Sequence, residues 1–479
     1  MKFINKLICL AIIATTAFGC DDYLDVNDDP NNPLLEQVSP DLMLAASQSV
    51  PAGTLAVTMN QLGNLMSGAW GGNVLVFAGP FDDEFRYNVT STFYSGIWDN
   101  LMARTANYSN IVNYEGGGDY TNHKAIAKIL RAFYSQYLVD IYGDIPYFQR
   151  HQFTELLQVA YDEDSLIYAD ILNEINQAVE MIDNASDNAI SVSNEDIIYN
   201  GDMSKWRKFA NTLKLRVVVR QSNVISQADA TTALAGLTTS DFIGFGDAAT
   251  LNPGYANENN RQNPFYATFG FSVAGVQANG NNVVVASEYT VQMLDGSNSG
   301  GTFDNRLTRL YRTNNQGGYL GIQQGQLLGN LPNGASVSLS RLGAGLGVDQ
   351  ANDAGASMDL NILTEAESFF LQSEAVTRGY ISGSGIGLFN SGIEASFNLL
   401  GASGANAYQS AIASQAGFGY TGSLEQQIEG IITQKWLALS CISGIEGWIE
   451  QTRTGYPNAP LSLTQTSGIR PVKLLYPLS

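Results

Sequence analysis

The chain has 479 residues, 45 acidic against 24 basic side chains, a formal charge of −21, two histidines and three cysteines. A field of that sign repels nucleic acid and other polyanions and favours neutral or cationic ligands. So few histidines leave little material for a Ser-His-Asp triad or a histidine-rich metal centre. The length allows more than one domain, yet no charged or proline-rich linker divides the chain.

The first predicted element is a leader. Lys2 and Lys6 form a basic start, and Leu7 to Phe18 is an apolar run too short to span a bilayer. "TAFGC" then places small residues ahead of Cys20. This predicts a signal peptide over 1–19, cleavage before Cys20 and lipidation of Cys20, so that the mature chain is anchored to a membrane, not threaded through it. A plain secretory signal with an incidental cysteine is the alternative. Cys9 leaves with the leader, so Cys441 stands alone and an intramolecular disulfide is not available. In "WLALSCISG" it reads as a buried small hydrophobe.

Residues 20–40 are acidic and rich in Asn and Pro, which predicts an extended tether. Asp25, Asn27, Asp29 and Glu36 fit calcium-loop spacing, but Pro30 stands where that loop needs the positive φ of glycine. No metal site is assigned.

Helical periodicity follows. Ile126, Ile129, Leu130, Phe133, Tyr137 and Ile141 share one face. Ile167, Ile171, Ile175, Ala178 and Ile182 share a second. Trp206, Phe209, Ala210, Leu213 and Val217 share a third, with Asp202 or Ser204 as N-cap. Later segments complete a set of pairs: 95–114 with 120–142, 163–185 with 202–222, 361–379 with 387–401, and 424–441 with 444–453. About four pairs imply a mainly α, tetratricopeptide-like scaffold, although no strict repeat period is legible. Residues 41–479 are predicted as one domain. Within it, about 223–360 forms a long irregular, loop-rich insertion, a natural place for a ligand site. There "NNVVVASEY" reads as a short strand or a helix start.

Chemistry is sparse. "LGAGLGV" and "SGSGIGLF" match neither a dinucleotide fingerprint nor a P-loop. His123 and His151 read as surface or capping residues. Asp82, Asp83 and Glu84 supply acids among aromatics, and a glycoside hydrolase needs only two suitably spaced carboxylates. No catalytic residue and no cofactor is assigned. Aromatics beside amides in Gly-rich loops are the stronger lead, because sugar rings stack on aromatic faces. Trp70, Asn73, Tyr87 and Trp98 lie in one such stretch. Tyr255, Asn257, Arg261, Asn263 and Tyr266 lie in another. Trp70 and Tyr266 are favoured, since glycine or proline neighbours keep them out of a regular core helix. Trp206 and Trp436 are placed in the core.

The segment "AKILRAFYSQYLVDIYGDIPYFQR" resembles the signature of the SusD/RagB nutrient-binding outer-membrane lipoproteins of the Bacteroidetes, in the SusD-like subgroup. "DVNDDPNNP" ahead of it resembles the family's opening segment, and "FDNRLTRLY", "AESFFLQSEAVTRG", "IITQKWLAL" and "PVKLLYP" follow it in family order. The resemblance implies a mostly α fold with tetratricopeptide-like helix pairs. It implies a lipid-anchored protein at the cell surface that captures oligosaccharide, or in some branches peptide, and delivers it to a SusC-type TonB-dependent transporter. A purely structural lid on that transporter is a further alternative. The signature itself reads as scaffold: Gly143 ends the helix, Asp144 caps neighbouring amides, and Pro146 forces Ile145 into extended geometry. Arg131 and Asp140 read as structural partners. Gln434, Lys435, Glu446 and Arg453 read as a polar network bracing the last helix pair.

Overall fold

The computed structural model describes residues 38–151, 158–331 and 334–478. The signal peptide, Cys20 and the calcium-loop spacing lie outside the described residues. The chain is mainly α, with four short strands among the described residues.

The first helix, α1 (Pro40–Thr54), runs through a π-turn at Leu55–Met59 into α2 (Asn60–Met66). Periodicity alone does not mark this element, because Pro51 lies inside it and the π-turn shifts its buried face. By length and composition it would suit a membrane span, yet about half of that stretch is buried inside the fold. β1 (Trp70–Gly72) and the single-turn α3 (Asp82–Arg86) follow.

The predicted pairs then appear. α4 (Ser95–Val112) packs on α5 (Thr121–Tyr142), and α6 (Asp164–Asp183) on α7 (Met203–Arg220). After the insertion, α8 (Glu365–Thr377) packs on α9 (Gly385–Leu400), and α10 (Leu424–Leu439) on α11 (Gly444–Thr454). The apolar stripe read on α5 is fully buried, and Phe133 meets Phe209 of α7 at 5.4 Å between ring centres. Each such side chain contributes about 1.5–3 kcal/mol by leaving water. Asp202 is the N-cap of α7, accepting from the amides of Ser204 and Lys205. Trp206 and Trp436 are in the core, as is Cys441.

The signature turn is a structural corner. Gly143 ends α5 at φ +83°, and Ile145 bridges to Asp162. Asp162 Oδ2 accepts from the amides of Tyr147 and Phe148, both at 2.9 Å. Asp144 accepts instead from the distant Asp164 amide, 3.0 Å away, and so ties the corner to α6.

A buried ionic network locks the pairs together. Arg220 of α7 meets Asp140 of α5 at 3.1 Å and Glu446 of α11 at 2.7 Å. Arg216 reaches Glu367 of α8 at 3.3 Å, Lys435 of α10 reaches Glu450 at 3.3 Å, and Arg453 reaches Glu374 at 2.8 Å. Arg131 pairs with Glu174 on α6, so it and Asp140 are structural but have different partners. Gln434 belongs to a separate cluster, accepting from Arg306 and donating to Tyr408. His123 is a correction: it is buried under α6–α7 connecting residues, with Nε2 3.0 Å from Glu195 Oε1, and not a surface residue. His151 is half-buried, held by Ser109 and Thr105.

The insertion is less irregular than its composition suggests. β2 (Ala249–Leu251) pairs with β4 (Leu360–Leu363), and β3 (Val284–Ala286) pairs antiparallel with β1. "NNVVVASEY" is both things at once: β3, then a helix over Glu288–Leu294 capped by Ser287.

Candidate functional site

The site is built outward from β1. Gly71 and Gly72 are required there: a Cβ on Gly71 would lie 2.5 Å from Ile322 Cγ2, and one on Gly72 would lie 2.6 Å from Pro80 Cγ. Beyond β1 the chain folds back over itself. The Asn73 side chain accepts from the Leu75 amide at 3.2 Å, and its carbonyl accepts from the amides of Val76 and Phe77. This forms one wall from residues 74–80. The facing wall is 322–328, joined to β3 by the Ile322 amide donating to Ala286 O at 3.1 Å. Gln324 secures it, donating to Leu65 O at 2.8 Å and Trp70 O at 2.7 Å.

Between these walls lies a groove of about 420 Å³. Val74, Leu75, Phe77, Ile322 and Leu327 give it apolar surface, Gln323 and Gln326 give it amides, and Asp82, Phe85 and Thr464 close one side. Its size is in the usual range for small-molecule sites. Val76, Leu327 and Leu328 at its mouth are 53, 61 and 48 % exposed, too much aliphatic surface to leave without a role. The lining residues include no histidine, cysteine or lysine, and Asp82 is their one carboxylate. A glycosidase pair needs two acids across the bond. The surface can stack and hydrogen-bond a polar, uncharged ligand.

Asp82 is paired with Arg86 at 2.8 Å, both half-exposed, so solvent screens their charges. Glu84, on the side of α3 away from the groove lining, receives Tyr94 OH at 2.8 Å, which in turn receives Gln61 Nε2 at 2.8 Å. Burial pushes its carboxyl above the usual range. Phe81, Tyr87 and Tyr94 around α3 all hold positive φ between 53° and 58°. Such backbone is costly for aromatic residues and gathers where a site must be held in shape.

The sequence profile of the SusD-like family, described as starch-binding and associating with the outer membrane, matches residues 49–477. The chain is a member of the SusD-like family. Similar solved structures include a chitin-binding protein, at 23% identity and TM-score 0.72 over 92% of this chain and 93% of that one. A chitin-binding SusD homologue from Flavobacterium johnsoniae is similar at 22% identity and TM-score 0.68, over 89% and 87% of the two chains. A SusD homologue from Bacteroides thetaiotaomicron gives 24% identity and TM-score 0.67, over 88% and 86%. Among curated proteins none matches the chain.

In this SusD-like protein the aromatic and amide candidates lie one layer behind the groove or away from it. Trp70 is fully buried, its Nε1 donating to Cys441 Sγ at 3.0 Å and its ring edge-on to Phe269. It has no open face for a sugar. Asn73 shapes the 74–80 wall and is itself buried. Tyr87 accepts from the Ser462 amide at 3.1 Å and so positions the strap that brings Thr464 to the groove. Tyr266 is buried, its hydroxyl accepting from the Asn352 amide at 3.0 Å. Asn263 is the N-cap for that short helix and also donates to Met358 O. Tyr255, Asn257 and Arg261 share one surface loop, where Arg261 pairs with Glu258 at 2.6 Å and Asn257 donates to Asp353 at 2.8 Å. Trp98 is half-buried in a separate aromatic cluster with Tyr142, Tyr161 and Tyr476.

The lining residues carry faint sequence signals. "NVLVFAGP" and "QQGQLLGNLP" are apolar runs held in Gly- and Pro-rich settings, where a core strand or helix would not need those breakers. Nothing near Thr464 announces it, because its place depends on the tertiary hold of Tyr87.

Proposed function

We propose that this protein binds oligosaccharide in the groove between residues 72–80 and 322–328. Lipid-anchored through Cys20 at the cell surface, it then hands its cargo to a SusC-type TonB-dependent transporter. The observation that carries the reading is the 420 Å³ groove, uncharged but for Asp82, whose lining includes two glutamines and Phe77 and whose aliphatic mouth is exposed. The family description and the chitin-binding names of two structural relatives support a glycan ligand. An N-acetylated sugar suits this lining: its methyl and ring faces pack on Leu75, Phe77 and Leu327, and its amide and hydroxyls meet Gln323, Gln326 and Asp82.

Calorimetric titration of the mature chain with chitooligosaccharides tests this. Saturable binding is expected, with cello-oligosaccharides of the same length binding less tightly. Binding of aliphatic peptides with no response to any oligosaccharide would replace the ligand assignment. Co-purification with a TonB-dependent barrel tests the partner.

A further inference from the structure

Ahead of β2 the chain holds an aromatic ring at the surface between two glycines. The Asp247 amide donates to Gly244 O at 3.1 Å and closes a tight turn, in which Gly246 takes φ +85°. Three side chains pin this turn to the helices beneath it. Lys205 Nζ of α7 donates to Gly246 O at 2.8 Å, Lys208 Nζ meets Asp247 Oδ2 at 2.7 Å, and Glu365 Oε1 of α8 accepts from the Gly246 amide at 2.6 Å. Phe245 stands in the turn. Its ring meets Phe369, one helical turn beyond Glu365, at 4.8 Å between centres, yet the residue stays 50 % exposed.

Beside the turn lies an open hollow of about 430 Å³, as large as the groove and sharing no lining residue with it. Gly246 and Glu365 both line it, which puts the Phe245 ring at its edge. Asn200, Asp202, Lys205 and Thr250 also line it, so this surface is polar where the groove is mainly apolar. Asn200 is exposed, and its side chain makes no hydrogen bond among the described residues. Glu365 and Asp202 each use one carboxylate oxygen on backbone amides and keep the other without a partner among those residues. The hollow thus combines donors on Asn200 and Lys205, acceptors on Asp202 and Glu365, and an aromatic face at its rim. Sugar hydroxyls donate and accept at once, and a sugar ring has an apolar face, so both demands are met here. Two carboxylates against one ammonium oppose an anionic ligand.

We propose that this hollow is a second carbohydrate site, which takes a neutral glucan. One hexose ring stacks on Phe245, and its hydroxyls bond to Asn200 and to the open oxygen of Glu365. The pinned turn holds the phenyl ring in place before the ligand arrives, so little ordering is left to do on binding. The site stands on its own geometry and does not depend on the groove's reading.

Calorimetric titration of the mature chain with maltotetraose and, separately, with cellotetraose tests the proposal, the two arms telling an α-linked from a β-linked glucan. At least one binds saturably. Phe245→Ala lowers that affinity by roughly 5–150-fold, the range for an aromatic stacked on a flat ring. Asn200→Gly lowers it by roughly 2–10-fold, the range for a neutral hydrogen bond. Asn200 has φ +52°, a conformation glycine adopts freely, so this second variant keeps the fold. Neither variant alters chitooligosaccharide binding in the groove, so the two sites are read separately. Failure of both glucans to bind, or a glucan affinity that either variant leaves at the wild-type value, would overturn it.

Discussion

Phe77 stands half-buried on the groove wall, with Gln323 and Gln326 among the residues that share the lining. Phe77→Ala is expected to weaken chitooligosaccharide binding by about 1–3 kcal/mol, the scale of an aromatic stacked on a flat ring. Calorimetry reads this directly, and the melting temperature should stay close to wild type. Trp70→Ala should act the other way. It removes a fully buried indole and leaves Cys441 Sγ without its donor, so it lowers stability by about 3–5 kcal/mol in chemical denaturation. Trp70 and Tyr266 also show why the site was only partly legible in the sequence. Glycine neighbours suggest open loops, but here they mark close approach. A Cβ on Gly270 or Gly355 would lie 2.8 or 2.7 Å from the Tyr266 ring. The same glycines that break regular structure let backbone close over the aromatic. Which face remains open is a tertiary fact that no local pattern carries.

The helix pairs were the legible elements, because each buries a stripe at helical spacing and the stripes on α5, α6 and α7 are intact in the sequence. What periodicity does not reveal is how pairs join. Lys435, Glu446 and Arg453 read as a brace for the last helix pair, but nothing in the one-letter string shows that Arg216 and Arg220 of α7 join them, so that the four cations neutralise Asp140, Glu367, Glu374, Glu446 and Glu450 in the interior. Glu450→Gln leaves Lys435 and Arg453 short of a counter-charge and should cost about 3–5 kcal/mol, measured by denaturant unfolding. Burial raises the Glu446 carboxyl, but Arg220, Arg216 and Lys435 overcome it and hold it down at about 2, against an ordinary value of 4.5. The folded value lies below the unfolded one. The contribution of Glu446 is therefore full above 4.5 and lost as the pH falls toward 2. Melting temperature measured across that window should fall, and Glu446→Gln should flatten part of the fall.

At the scale of the whole molecule, a charge of −21 beside a nearly neutral groove means that a neutral ligand would be bound there without long-range attraction. Affinity for a neutral oligosaccharide should then change little between low and physiological salt. The central claim is that the groove, and not the Tyr255–Tyr266 segment, receives the glycan. Its most direct test is calorimetric titration of the mature chain with a chitooligosaccharide in wild type, Gln326→Ala and Arg261→Ala. The account predicts that binding weakens in Gln326→Ala and is retained in Arg261→Ala. Unchanged binding in Gln326→Ala together with loss in Arg261→Ala would contradict it.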